Sequence, residues 1–192
     1  NQLLDFRRLE ISGEKLNLTF GDLVDFVKQF EDLFGKLAQE KQIEFAVQSK
    51  NPKLFLYFDN DKLYKVINNL LSNSFKFTTK GGTIIVKVSQ TIENQNSNFV
   101  QLEVIDSGFG ISENDLPNVF NRFYQASTTQ GGSGIGLHLV KEYVELHSGE
   151  IIVESEPNVK TVFAVSIPTH LVPEKTDSEI LIVDSEDTIA NQ

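Results

Sequence analysis

The stretch GGSGIGLH, residues 131–138, decides which fold the chain can adopt. A glycine run that feeds a helix is a common cradle for phosphate. The polar segment QASTTQ (125–130) precedes it, and LHLVKEYVELHSG (137–149) follows with the apolar spacing of a helix. Three kinds of phosphate loop can be tested against it. The P-loop requires G-x-x-x-x-G-K-[ST] after a strand. Gly131 and Gly136 have that separation, but Leu137 stands where lysine must be. The dinucleotide fingerprint requires G-x-G-x-x-G after a strand, whereas the spacing here is G-x-G-x-G after a polar loop. A protein-kinase glycine loop requires H-R-D and D-F-G downstream, and neither is present. Two readings remain: a glycine-rich hinge whose helix N-terminus offers free N–H groups to phosphate, or a loop that only caps a helix.

The rest of the chain narrows the choice. Its 192 residues suit one domain with short extras, and 40% hydrophobic with 23% charged residues is an ordinary globular balance. The net charge of −10 argues against a broad nucleic-acid surface. With no Cys there is neither a disulfide nor a thiolate metal site. No apolar run reaches membrane-spanning length, so no membrane contact is expected of this part. The absence of Met leads us to expect a piece of a longer protein.

Periodicity places helices over NQLLDFRRLEI (1–11), 21–41, 59–77 and 134–147, the third capped by Asp59 or Asp61 and the last ended by Gly149. Strands are expected in KLNLTF (15–20), IEFAVQ (43–48), LFLYFD (54–59), GTIIVKVSQTI (82–92), NFVQLEVID (98–106), EIIVES (150–155) and VFAVSIP (162–168), with 82–106 forming a hairpin. Residues 112–124 are read as one or two short helices. This alternation predicts a two-layer α/β (α+β) sandwich, a mixed and largely antiparallel sheet with helices on one face.

Two further segments carry polar residues at informative spacing. In NNLLSNSFKF (68–77), Asn69, Asn73 and Lys76 stand at i, i+4 and i+7, within an arc of about 60° on a helix. Lys62, Lys65 and Ser72 share that side, so a solvated face is the plain alternative. A neutral Asn carbonyl can nevertheless hold Mg²⁺ without repelling phosphate, and a lysine one turn on can neutralise a phosphate oxygen. In VIDSGFGIS (104–112) a strand ends at Asp106 and Gly108 and Gly110 turn the chain. A carboxylate there can accept from an exocyclic amine, although a simple D-x-G turn is common.

In order and spacing these segments resemble the N box (68–77), G1 box (DSGFG, 106–110), F box (FNRFY, 120–124) and G2 box (GSGIGL, 132–137) of sensor histidine kinases, members of the wider GHKL ATP-binding superfamily. The resemblance covers about residues 16–168 and implies a Bergerat-type ATP-binding fold. It implies that Asn73 binds Mg²⁺, that Lys76 contacts phosphate and that Phe77 packs on adenine. Asp106 matches the adenine-reading residue, Gly108 and Gly110 the G1 glycines, and Gly132, Gly134 and Gly136 the phosphate-facing G2 glycines. Phe120 and Phe123 resemble the hydrophobic anchors of a nucleotide lid. Ile111, Arg122, Ser133 and Leu137 complete the implied ATP site, and Asn69, Asn73 and Lys76 form its catalytic set.

The pattern has departures. Gln125 stands where many relatives carry Arg, which leaves that charge to Arg122 or Lys76. His138 replaces a common Ser and is read as a helix-start hydrogen bonder, and His147 as structural. The implied organisation is the end of a dimerisation and phosphotransfer helix (1–12), an ATP-binding kinase domain (13–168), a linker (169–178) and the truncated start of a receiver domain (179–192, from EILIVDSED). The implied activity is transfer of the γ-phosphoryl group of Mg-ATP to a histidine on upstream helices that this chain lacks. A receiver downstream or in trans and homodimerisation of the full-length protein follow, with a cytoplasmic location. Alternatives are a hydrolysing GHKL ATPase or a non-catalytic nucleotide module. The hydrolysing relatives carry a Glu base one turn before the magnesium Asn, where this chain has Asn69.

Overall fold

The computed structural model describes residues 2–12, 14–94, 97–125 and 133–173. In chain order the elements are α1 (Gln2–Ser12), β1 (Thr19–Asp22), α2 (Leu23–Lys41), β2 (Glu44–Ser49), β3 (Phe55–Phe58), α3 (Asn60–Phe77), β4 (Thr83–Asn94), β5 (Ser97–Asp106), a 3₁₀ turn (Leu116–Asn118), α4 (Gly136–Leu146), β6 (Glu150–Glu156) and β7 (Lys160–Pro168). Five strands form one sheet in the order β2-β4-β5-β7-β6, parallel only between β2 and β4. A separate antiparallel pair joins β1 to β3. The helices cover one face of the large sheet, as the sequence pattern predicts.

Alternation explains the layering. Ile84, Val86 and Val88 of β4, Val100, Leu102 and Val104 of β5, and Phe163, Val165 and Ile167 of β7 are all buried. They meet the apolar stripe of α3, where Leu63, Val66, Ile67, Leu70 and Leu71 are almost fully buried. Each such side chain contributes about 1.5–3 kcal/mol. α3 starts at Asp59, whose Oδ1 accepts from Lys62 N at 3.0 Å, the capping expected of an Asp at that position. Its far end reaches the end of β5, where Phe109 N donates to Phe77 O at 3.3 Å. The sequence therefore brings the N box and the G1 turn together at one edge of the sandwich.

Several elements differ from the sequence expectation, among them α2, which begins at Leu23 rather than 21. The first strand is Thr19–Asp22 rather than 15–20. Between 112 and 124 only the 3₁₀ turn forms: Pro117 lacks an N–H, and Asp115 accepts from the Ser112 and Tyr124 hydroxyls, a local competitor of helix. α4 begins at Gly136, and the left-handed residue that follows it is Ser148 (φ 53°), not Gly149.

Candidate functional site

The C-terminal half of α3 forms one wall. Asn69 and Asn73 are half-buried and Lys76 is exposed, with its Nζ 4.9 Å from the Phe77 ring centroid. Asn69 is engaged at both ends of its amide: Oδ1 accepts from Gln2 Nε2 at 2.6 Å, and Nδ2 donates to Lys65 O at 2.8 Å. Among the described residues no hydrogen bond engages the Asn73 side chain.

The end of β5 forms the floor. Asp106 is 5% exposed. Its Oδ2 accepts from Ser74 Oγ at 2.9 Å and its Oδ1 from Gly108 N at 3.0 Å. Burial pushes its carboxyl above the usual range, and these two hydrogen bonds offset only part of that. A carboxylate has about four acceptor positions, so capacity remains for an incoming amine. Gly108 is required here by contact: a Cβ would lie 2.7 Å from Phe77 O and 2.8 Å from Asp106 Oδ1. The backbone of the turn thus lies directly on the end of α3. Beside it, the buried Thr78 Oγ1 has no hydrogen-bond partner. Ile111, half-buried against the core, donates its N–H to Ser155 Oγ at 2.8 Å.

The remaining wall joins residues 120–124, read from the sequence as lid anchors, to α4. Phe120 packs edge-on against Phe163 at 6.3 Å and lies partly buried against the core. Phe123, expected to be a second lid anchor, is 60% exposed and makes a ring contact with Phe6 of α1. Arg122 lies 5.1 Å from the Phe6 ring and donates Nε–H to His138 Nε2 at 3.1 Å. Gly134 has φ 66°, and a Cβ there would meet the Phe123 carbonyl carbon at 2.6 Å. Ser133 Oγ donates to Gln2 Oε1 at 2.7 Å, while Leu137 packs against the core. Gly132 and the rest of the lid lie outside the described residues.

The structure thus brings Lys76, Phe77, Asp106 and Gly108 together, and separately Asn69, Ser133 and Gly136. A groove of about 360 Å³ lies elsewhere, between α2 and β2. Among the described residues no cluster of three or more His, Asp or Glu could hold a metal. The half-buried Asn73 carbonyl oxygen fits a cation whose other ligands come from phosphate and water. Sequence reasoning missed Ser74, although a lone polar residue continuing the Leu63–Ile67–Leu70 stripe was its signal. It also missed Gln2 and Phe6, for which the sequence carried none.

The chain is similar to known proteins in sequence and in fold. Residues 58–171 match the family model described as histidine kinase-, DNA gyrase B-, and HSP90-like ATPase. The chain is 34% identical over 191 residues to histidine kinase P4 of Formosa agariphila, covering 94% of this chain and 13% of that protein. It is 35% identical over 183 residues to the autoinducer 2 sensor kinase/phosphatase LuxQ of Vibrio cholerae, covering 93% and 21%. It therefore spans a small part of the length of both relatives. Among solved structures, full-length ShkA in complex with AMPPNP superposes with a TM-score of 0.78 at 26% identity, over 91% of this chain and 36% of that one. The catalytic domain of histidine kinase ThkA, at 24% identity, shares the fold with a TM-score of 0.71 over 80% and 97%.

Proposed function

The chain belongs to the histidine kinase-, DNA gyrase B-, and HSP90-like ATPase family, as the ATP-binding domain of a sensor histidine kinase, and we propose that it binds Mg-ATP and donates the γ-phosphoryl group to a histidine on upstream helices. The observation that carries this reading is Asp106, a buried carboxylate with unused acceptor capacity, beside a turn where only glycine fits. Ser74 and Gly108 N hold the carboxylate in place, and its free lone pairs accept from the adenine amine. Phe77 lies at the mouth and offers a face for the ring.

Phosphoryl transfer asks mainly for positioning and charge neutralisation. Asn73 would hold Mg²⁺, which when bound supplies positive charge to the phosphate oxygens. Lys76, and the N–H groups at the start of α4 from Gly136 onward, add to that charge. The acceptor imidazole is its own nucleophile, so no base is needed from the chain. Asn69 stands where hydrolysing relatives have a Glu base. Its amide is neutral and already bonded on both sides, which favours transfer over hydrolysis.

By the same reading, the partners are the upstream phosphoacceptor helices and a receiver domain, in a homodimeric full-length protein whose catalytic part is cytoplasmic. A structure of ThkA in complex with the response regulator protein TrrA supports the second partner by analogy. Among the described residues no helix is long and apolar enough to cross a membrane. The proposed receiver start at 179–192 lies outside the described residues. The test is incubation with γ-labelled ATP, alone and with an added phosphoacceptor hairpin. The expected result is acid-labile label on the hairpin only; label on this chain alone would overturn the assignment of the acceptor.

A further inference from the structure

The nucleotide site has a contact that its proposed chemistry does not need. α1 lies across three of its parts at once. Gln2 bridges Asn69 on α3 to Ser133 ahead of α4, with hydrogen bonds of 2.6 and 2.7 Å. A Cβ on Gly136, the first residue of α4, would be 3.2 Å from Gln2 Nε2 and 3.0 Å from Asn69 Oδ1. The Gln2 amide therefore sits against the start of α4, where the reading above places phosphate. Behind it, Phe6 is 8% exposed between Phe123, His138 and the Arg122 guanidinium. Asp5 pairs with Lys65 at 2.8 Å. One polar end and one aromatic anchor thus tie the helix to α3, the lid and α4 together.

We propose that Gln2 is a positioning residue, a latch through which α1 and the terminal phosphate of a nucleoside triphosphate compete for the space between Asn69 and the start of α4. The proposal rests on the nucleotide reading above. With α1 docked, the Asn69 carbonyl and the Ser133 hydroxyl are both spent on Gln2, and the approach to the α4 N-terminus is covered. A diphosphate, which lacks the outermost group, leaves the latch closed. A triphosphate displaces it, and by linkage a displaced α1 binds triphosphate more tightly. Movement of the helix that enters this domain would then set how readily the γ-phosphate is held.

The test uses the full 192-residue chain with Mg·ADP and the non-hydrolysable triphosphate Mg·AMPPNP, measured by calorimetry. Gln2→Ala should tighten AMPPNP about 3- to 10-fold, the range expected for a lost pair of competing hydrogen bonds, and change ADP affinity less than about twofold. Phe6→Ala, which frees the anchor rather than the latch, should give the same preference. In the parent chain, AMPPNP but not ADP should increase amide hydrogen exchange across residues 2–9. Equal effects on both nucleotides, or α1 protection that AMPPNP leaves unchanged or strengthens, would overturn the latch while leaving the nucleotide site intact. Failure of the parent chain to bind either nucleotide would overturn the nucleotide reading and the latch with it.

Discussion

Two buried carboxylates bracket α3, and they are held in opposite ways. Asp59 precedes the helix and is 2% exposed; Asp106 lies beside its far end and is 5% exposed. Asp59 accepts three hydrogen bonds, from Asn17 N, Lys62 N and Lys62 Nζ, at 2.8 to 3.1 Å. Burial alone would raise its pKa, but these bonds and the Lys62 charge hold it below the ordinary value of 3.8. Asp106 has two partners, both uncharged, and burial keeps its pKa above that same value. A saturated, charge-paired buried carboxylate is one whose removal leaves its partner uncompensated and the fold weaker. An under-satisfied one costs stability, and it persists where a ligand completes its hydrogen bonding. Under the proposed function, the contrast separates a structural end of α3 from a chemical end.

The largest way to break the comparison is at the structural end. Asp59→Ala removes the helix cap and leaves Lys62 without its buried partner. It should cost about 3 kcal/mol, which for a domain of this size lowers Tm by about 6–12 °C. Calorimetric melting checks this, and nucleotide affinity of the folded protein should not change. At the chemical end the expectation reverses. Asp106→Asn should weaken ADP binding about 10- to 100-fold, the loss of a charged hydrogen bond, and relax the preference for adenine over guanine. Its Tm should hold or rise. A group whose folded pKa is raised makes the fold more stable as pH falls through that raised value, so at neutral pH the ionised form is the costly one.

A smaller effect sharpens the structural end. His147 is fully buried; its Nδ1–H donates to Tyr143 O at 2.7 Å, and its Nε2 accepts from Asp59 N at 3.1 Å. Burial and the Lys62 charge lower its pKa from 6.5, against opposing contributions from Tyr143 O and Asp59. A depressed folded pKa means full stability above about 6.5 and progressive loss as pH falls from there toward the folded value. Thermal melts between pH 7.5 and 5 should show that decline. His147→Gln, whose amide oxygen can replace Nε2, should flatten it. The smallest change is expected for Asn69→Glu. It should raise ATP hydrolysis by a modest factor without supplying transfer, as measured by phosphate release. Phosphate release no faster than in the parent, with nucleotide still bound, would reject Asn69 as the position that separates the two chemistries.

What the sequence disclosed follows the range of the interactions. Short-range signals were readable: Asp59 at the cap, the alternation of β4, β5 and β7, and Asp106 at a strand end before two glycines. The resemblance carried by the order of the four boxes then implied that they surround one nucleotide. The 3₁₀ turn at Leu116–Asn118 escaped, because side-chain bonds to Asp115 compete with helix in a way that residue periodicity does not record. Ser74 was half-legible as a polar break in an apolar stripe. Gln2 and Phe6 were not legible at all, since Gln2 is separated from Asn69 by 67 residues and from Ser133 by 131. Only the packing of α1 brings them there, and it also gives Phe123 its ring contact with Phe6.

The central claim is that the Asp106 end of α3 is an adenine-nucleotide site whose metal ligand is Asn73. Calorimetric titration of the parent chain with ADP and GDP, each with and without Mg²⁺, tests it most directly. ADP should bind at least about tenfold more tightly than GDP, consistent with a site built around one charged hydrogen bond. Mg²⁺ should strengthen ADP binding in the parent chain but not in Asn73→Ala. Equal affinity for ADP and GDP, or no binding of either, would contradict the account.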